Sequence, residues 1–303
     1  MHVGLIDIDG GNFPNLCLMK LSAYLKRQGH NTSLLNPDDI LKGQPLFDTP
    51  EKLYGAVVFE KNKNIAVQLA RMGVIVGGTG ILMQTNLASD VETIFPDYSL
   101  YGIKNEAYGF LTRGCPRRCP FCIVGEKEGT TSKKVADLSQ FWHGQKYIKL
   151  LDPNLLACSE HIDLLGQLAN SGAWIDFTQG LDARLLTKQN IELINACKIK
   201  MIHFAWDNPK DEITKQALIN FRKESRIQDF RKMRVYVLTN YWSTHQEDLY
   251  RVYWLREHGY DPYIMIYDKP HAPTETRYLQ RWVNNKQIFR IIDKFENYDH
   301  KVG

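Results

Sequence analysis

The chain has 303 residues, 44% of them apolar and 24% charged, with a formal net charge of +4. That composition belongs to a folded globular protein and excludes a disordered or low-complexity chain. No apolar run reaches the roughly 18 residues that a membrane-spanning helix needs, and residues 1–8 form a strand-like run that meets Asp7 and Asp9 at once, not a signal peptide. A cytoplasmic protein with free thiols and no membrane partner is therefore expected. The charge is uneven. Residues 1–110 hold nine Lys/Arg and eleven Asp/Glu, a net −2, which leaves +6 for the remainder, and a basic half suits an anionic or nucleic-acid partner.

In chain order, residues 2–8 read as a strand, 14–28 as a helix ending at Gly29, 32–35 as a second strand and 54–59 as a third. Residues 64–72 read as a helix and 74–76 as a short buried strand running into Gly77-Gly78-Thr79-Gly80. Apolar runs alternating with amphipathic helix-length segments are the pattern of a parallel sheet flanked by helices, here a small doubly wound, Rossmann-like domain over residues 1–96. Such sheets bind ligands beyond the carboxyl ends of their strands, where Asp9-Gly10-Gly11-Asn12 and the Gly77-Gly78 turn fall. The stretch 90–102 has loop chemistry, with Phe95-Pro96-Asp97-Tyr98 at its centre, and the linker between domains is set at 97–107.

From there strands recur near 108–112, 147–151, 174–177, 201–205, 235–238 and 262–266, with helices at 160–170, 188–196, 211–221 and 246–258. A helix in each gap means right-handed crossovers, so residues 108–303 read as a six-stranded partial (β/α) barrel, TIM-like. Residues 277–295 place Leu279, Trp282, Val283, Phe289, Ile292 and Phe295 at near-helical spacing, the stripe of a helix that closes the barrel. Residues 215–234 carry Lys215, Arg222, Lys223, Arg226, Arg231, Lys232 and Arg234 around Phe221 and Phe230; the run suits either a phosphate-binding surface or a solvated helix.

The most informative residues are Cys115, Cys119 and Cys122, in Cys-Pro-Arg-Arg-Cys-Pro-Phe-Cys after the first of those six strands. Three thiolates on a four-iron cubane leave one iron free to bind a small molecule. The competing reading is structural zinc in a non-catalytic nucleic-acid-binding protein. Zinc wants four ligands, and Cys17, Cys158 and Cys197 are scattered, so His143 or His161 would have to complete the set. In a barrel the chemistry sits after each strand. That rule selects Arg113, then Asp152 and Asn154, then Thr178, Gln179, Asp182 and Arg184, then Trp206, Asp207 and Asn208, then Asn240 and Tyr241, then Tyr267 and Asp268. Tyr241, Trp242 and Trp206 suit either aromatic walls around a substrate or core packing.

The Cys-x3-Cys-x2-Cys spacing, with Phe121 just before the last cysteine, resembles the signature of the radical S-adenosylmethionine superfamily, and the strand-helix rhythm extends the resemblance from about residue 108 to about 269. The resemblance implies a 4Fe–4S cluster on Cys115, Cys119 and Cys122, with S-adenosylmethionine chelating the free iron. One-electron cleavage would give a 5′-deoxyadenosyl radical that takes hydrogen from an unactivated C–H, with flavodoxin or ferredoxin as electron donor. It also implies that Phe121 sets its backbone against the adenine. The loop after the second strand, often Gly-Gly-Glu in the family, reads Leu151-Asp152-Pro153-Asn154 here, so the methionyl ammonium falls to Asp152 and Asn154. Gln179, Asp182 and Arg184 would take the ribose hydroxyls and the methionyl carboxylate, Arg184 the latter through its planar fork. Asp207 and Asn240 complete the cofactor-binding set.

Residues 1–96 resemble the cobalamin-binding-type domain found before such barrels, best at Val-Ile-Val-Gly-Gly over 74–78. The family's Asp-x-His-x-x-Gly loop is missing, so cobalamin is allowed but not favoured, and cobalamin-dependent methyl transfer stands as the alternative to simple hydrogen abstraction. Asn12-Phe13-Pro14-Asn15, Gln179-Gly180-Leu181-Asp182 and Gln280-Arg281-Trp282-Val283 look like a bacterial and phage branch of the superfamily. The substrate stays unnamed.

Overall fold

Two compact units share the chain in the computed structural model, which describes residues 1–11, 13–43 and 49–301. One is Met1–Gly109 with Ser139–Gln145; the other is Phe110–Leu138 with Lys146 onward. No helix among the described residues is long and apolar enough to cross a membrane.

The first unit runs β1 (His2–Asp7), α1 (Leu16–Arg27), β2 (Asn31–Leu35), α2 (Pro37–Leu41), β3 (Lys52–Ala56), α3 (Lys63–Arg71), β4 (Ile75–Gly77), α4 (Ser89–Glu92) and β5 (Glu106–Gly109). Strands β2-β1-β3-β4 pair in that order, all parallel. The order reverses at β1, as in a doubly wound sheet. Period-two alternation builds both layers: Val3 and Leu5 pack with Leu18 and Leu25 of α1, while Ile6 and Ile8 pack with Ile40, Ala66 and Leu69 of α2 and α3. Each Val, Leu or Ile side chain so buried contributes about 1.5–3 kcal/mol. Asn15 starts α1 by accepting from the amides of Cys17 and Leu18, an ordinary N-cap.

The third strand ends three residues short of the expected 59. The reason is Asp9, whose carboxylate accepts from the amides of Val58 (2.6 Å) and Phe59 (3.3 Å) and from Asn62 Nδ2 (2.9 Å), turning the chain away at the β1–β3 crevice. Gly78 has φ +116°, and a Cβ there would lie 2.1 Å from Val57 O, so the Gly-Gly turn serves close backbone packing. Asn12, expected in the same crevice, lies outside the described residues. Within residues 97–107 the structure has one 3-10 turn, Tyr98–Tyr101, capped by Asp97, and the start of β5.

The second unit runs β6 (Thr112–Arg113), α5 (Val124–Lys127), β7 (Lys133–Lys134), β8 (Tyr147–Leu150), α6 (His161–Ser171), β9 (Trp174–Phe177), α7 (Lys188–Ala196) and β10 (Lys198–Ala205). It continues with α8 (Glu212–Glu224), β11 (Met233–Thr239), α9 (His245–Glu257), β12 (Asp261–Ile266), α10 (Thr274–Asn284) and α11 (Lys286–Ile291). Strands β8 to β12 pair in sequence order, all parallel. A monotonic order with right-handed crossovers puts the connecting helices on one face. Ile148, Leu150, Ile175, Phe177, Val235, Val237 and Ile264 are buried on that face.

Two expectations change. The strand expected at 108–112 is split, because the amides of Leu111 and Thr112 donate to the Asp152 carboxylate; β5 has already ended at Gly109, and β6 pairs antiparallel with β7. The single closing helix expected over 277–295 is also two helices. Asn285 is extended and its side chain accepts from the amides of Gln287 and Ile288, so it caps a new helix where the old one stops.

Candidate active site at the carboxyl ends of the parallel strands

A parallel sheet sends every strand exit to the same end, and ladder bonds carry the pairing beyond the strands: Thr178 N donates to Leu150 O, Leu181 N to His203 O, Trp206 N to Tyr236 O and Tyr267 N to Thr239 O. The cysteine loop is built by different means. Gly114 takes φ +86°, and a Cβ there would lie 2.2 Å from Thr131 O. Its amide donates to Glu128, which also pairs with Arg113 at 2.9 Å. The amide of Cys115 donates to Gly129 O, and that of Cys122 to Cys119 O. Between the first two cysteines Arg118 sits at φ +49°, a left-handed conformation that costs a non-glycine residue about 1–3 kcal/mol.

Cys115 and Cys119 are half-buried and Cys122 is exposed. Burial, then the Asp207 carboxylate and the two neighbouring cysteines, pushes the Cys119 thiol above its ordinary value. Among the described residues no group of three or more His, Cys, Asp or Glu side chains is placed to hold a metal ion. His161 stands at the start of α6 with its Nδ1 2.7 Å from Cys158 O.

Asn154 stands beside this loop and is 3% exposed. Its Nδ2 lies 3.4 Å from Cys115 Sγ and 3.4 Å from Asp182 Oδ2, while its buried Oδ1 has no partner. A buried amide oxygen left unpaired is costly, and this one, next to a cluster-ligand candidate, fits a donor such as an ammonium group. Asp152 turns the other way. Its carboxylate accepts from Leu111 N, Thr112 N and Thr112 Oγ1, and burial, outweighing those bonds, pushes it up to about 6.

Asp182 caps the short turn Ala183–Leu185 and gathers Arg184 and Arg117. Burial raises its pKa, but the hydrogen bonds from the two guanidinium groups win and hold it below the usual carboxylate range. The fork of Arg184, expected for a ligand carboxylate, is engaged by Asp182 and, at 3.3 Å, by Asp211. Asp207 is pushed up to about 6 by burial, against the pull of Arg251 and Arg184. Gln179 is exposed in the same loop as Asp182. Asn240 sits at φ +61° and donates from Nδ2 to Tyr267 O at 2.9 Å, tying the β11 and β12 exits.

Phe121 meets Tyr241 and Trp242 edge-on, both at 5.4 Å, and Tyr241 meets Tyr267 at 4.7 Å. Trp242 and Tyr267 remain 43% and 42% exposed. Of the three aromatics read as either walls or core, Trp206 is core, fully buried against Trp254. The basic run is dispersed: Lys215 pairs with Glu212, Arg231 with Asp229 and Arg234 with Asp261, and Arg222 donates to Ile227 O. Sequence reasoning missed Glu128, Arg117 and the buried pair Asp248–Arg251. The last left a signal, since both fall on the face of α9 that carries Val252 and Leu255.

No protein-family model matches the chain, and no curated protein matches it. Among solved structures it is similar to Streptococcus suis SuiB bound to its precursor peptide SuiA (TM-score 0.43) and to SuiB bound to S-adenosylmethionine (TM-score 0.42), each at 11% identity over 89% of this chain and 59% of the other. The chain thus spans about three-fifths of the SuiB chains it matches. At that level of likeness nothing about activity or substrate follows.

Proposed function

We propose that the chain is a radical S-adenosylmethionine enzyme, with Cys115, Cys119 and Cys122 holding a 4Fe–4S cluster, S-adenosylmethionine on its free iron, and a second unit of the partial-barrel type. The observation that carries the reading is the unpaired, buried Oδ1 of Asn154 whose own amide nitrogen lies 3.4 Å from Cys115 Sγ. When bound, cluster and S-adenosylmethionine supply reductive cleavage of the sulfonium carbon–sulfur bond and hydrogen abstraction from an unactivated C–H. Asn154 accepts from the ammonium group. Asp182, held ionised by Arg184 and Arg117, is an acceptor for ribose hydroxyls. Phe121, Tyr241 and Trp242 keep water from the reacting carbon. Asp152 anchors the chain leading into the cysteine loop. Electrons come from a flavodoxin or ferredoxin.

The test is anaerobic reconstitution followed by S-adenosylmethionine and dithionite, with products read by mass spectrometry. 5′-Deoxyadenosine and methionine are expected. S-Adenosylhomocysteine as the main product would move the chemistry to methyl transfer, and an intact sulfonium in a fully loaded protein would refute the proposal.

A further inference from the structure

Arg251 is fully buried on α9 and spends its donors on strand ends. One terminal nitrogen donates to Trp206 O (2.6 Å) and Asp207 O (3.0 Å); the other donates to Leu238 O (2.8 Å), Ser243 Oγ (3.1 Å) and Asp248 Oδ1. Asp248 in turn accepts from Ser243 Oγ. Helix α9 does not need a cation to adhere to the sheet, because Leu249, Val252, Trp254 and Leu255 already bury apolar surface there. A buried ion pair is a poor source of stability compared with apolar residues of similar size. What a guanidinium adds is direction: the four N–H groups of its two terminal nitrogens leave a planar fork at fixed angles, here joining the exits of β10 and β11 and the loop after β11.

Those two exits carry the groups that face the cysteine loop. Asp207 acts on Cys119 and Arg184, and Tyr241 and Trp242 meet Phe121, the neighbour of Cys122. We propose that Arg251 is a positioning residue that locks the β10 and β11 exits in one register, so that Asp207 and the Tyr241–Trp242 pair bracket the cysteine loop; the inference rests on the reading of that loop as the cluster site. It touches neither cofactor nor substrate and acts through the backbone it holds.

The experiment uses full-length protein labelled with 5-fluorotryptophan, with the Trp242 signal assigned by Trp242→Phe. Arg251→Met alone leaves Asp248 unpaired, so it is compared with the charge-free pair Arg251→Met/Asp248→Leu and with Arg251→Lys. In folded variants lacking the guanidinium, the Trp242 fluorine signal is expected to shift toward that of free 5-fluorotryptophan, and Arg251→Lys to restore it in part. After reconstitution, KM for S-adenosylmethionine is expected to rise about tenfold with a smaller change in kcat. Ser243→Ala, which keeps both charges, gives the same fluorine shift in reduced form if the buried variants do not fold. An unmoved Trp242 signal in a folded variant would overturn the proposal. If wild-type protein cleaves no S-adenosylmethionine, the cluster reading fails while the fluorine signal still decides whether Arg251 positions the loop.

Discussion

Asn154 and Asp152 leave the same strand two residues apart and have opposite employment. Asn154 keeps an unsatisfied oxygen beside Cys115, so Asn154→Ala should weaken S-adenosylmethionine binding by about tenfold, the value of one hydrogen bond to a charged group; titration calorimetry on reconstituted protein measures it. Asp152 satisfies two buried amides and a hydroxyl. Asp152→Ala should therefore cost roughly 2–4 kcal/mol from stranded donors, visible in urea unfolding of the protein before any iron is added. Unchanged unfolding would return Asp152 to the ligand-binding role its position suggests. The sequence placed both residues after the right strand, since loop position follows from strand periodicity. It could not say which way each side chain turns, because that depends on Leu111 and Thr112, some forty residues away.

At the level of elements, β10 carries a titratable group with a defined consequence. His203 is 5% exposed, stacks on Tyr236 at 5.0 Å and lies 3.0 Å from Phe177 O through Nδ1. Burial, opposed by that bond, depresses it from 6.5 to about 4. A folded-state value below the unfolded one means stability present above pH 6.5 and lost as pH falls toward 4, by up to about 3 kcal/mol. Denaturant unfolding of wild type and His203→Gln across that range should show the variant losing less; parallel curves would contradict the assignment. Trp174–Phe177 and Lys188–Ala196 were legible residue for residue because apolar period and flanking signals agree there. The breaks at Gly109 and Asn285 were not, because a carboxylate distant in sequence and a single capping amide decide them.

At the scale of the molecule, the sequence conveyed two α/β parts with parallel strands and an excess of positive charge in the second. It did not convey how that charge is spent, since ion pairs such as Arg234–Asp261 join residues on different strands. The proposed chemistry depends on three cysteines of one loop holding the cluster. The most direct measurement is iron and acid-labile sulfide in anaerobically reconstituted wild type and in the variant with Cys115, Cys119 and Cys122 all changed to alanine, with the reduced samples read by electron paramagnetic resonance. Close to four irons and four sulfides are expected per wild-type chain, in line with one cubane, and essentially none in the triple variant. Iron and sulfide retained in the triple variant, with loss instead on changing Cys17, Cys158 and Cys197, would contradict this assignment of the cluster.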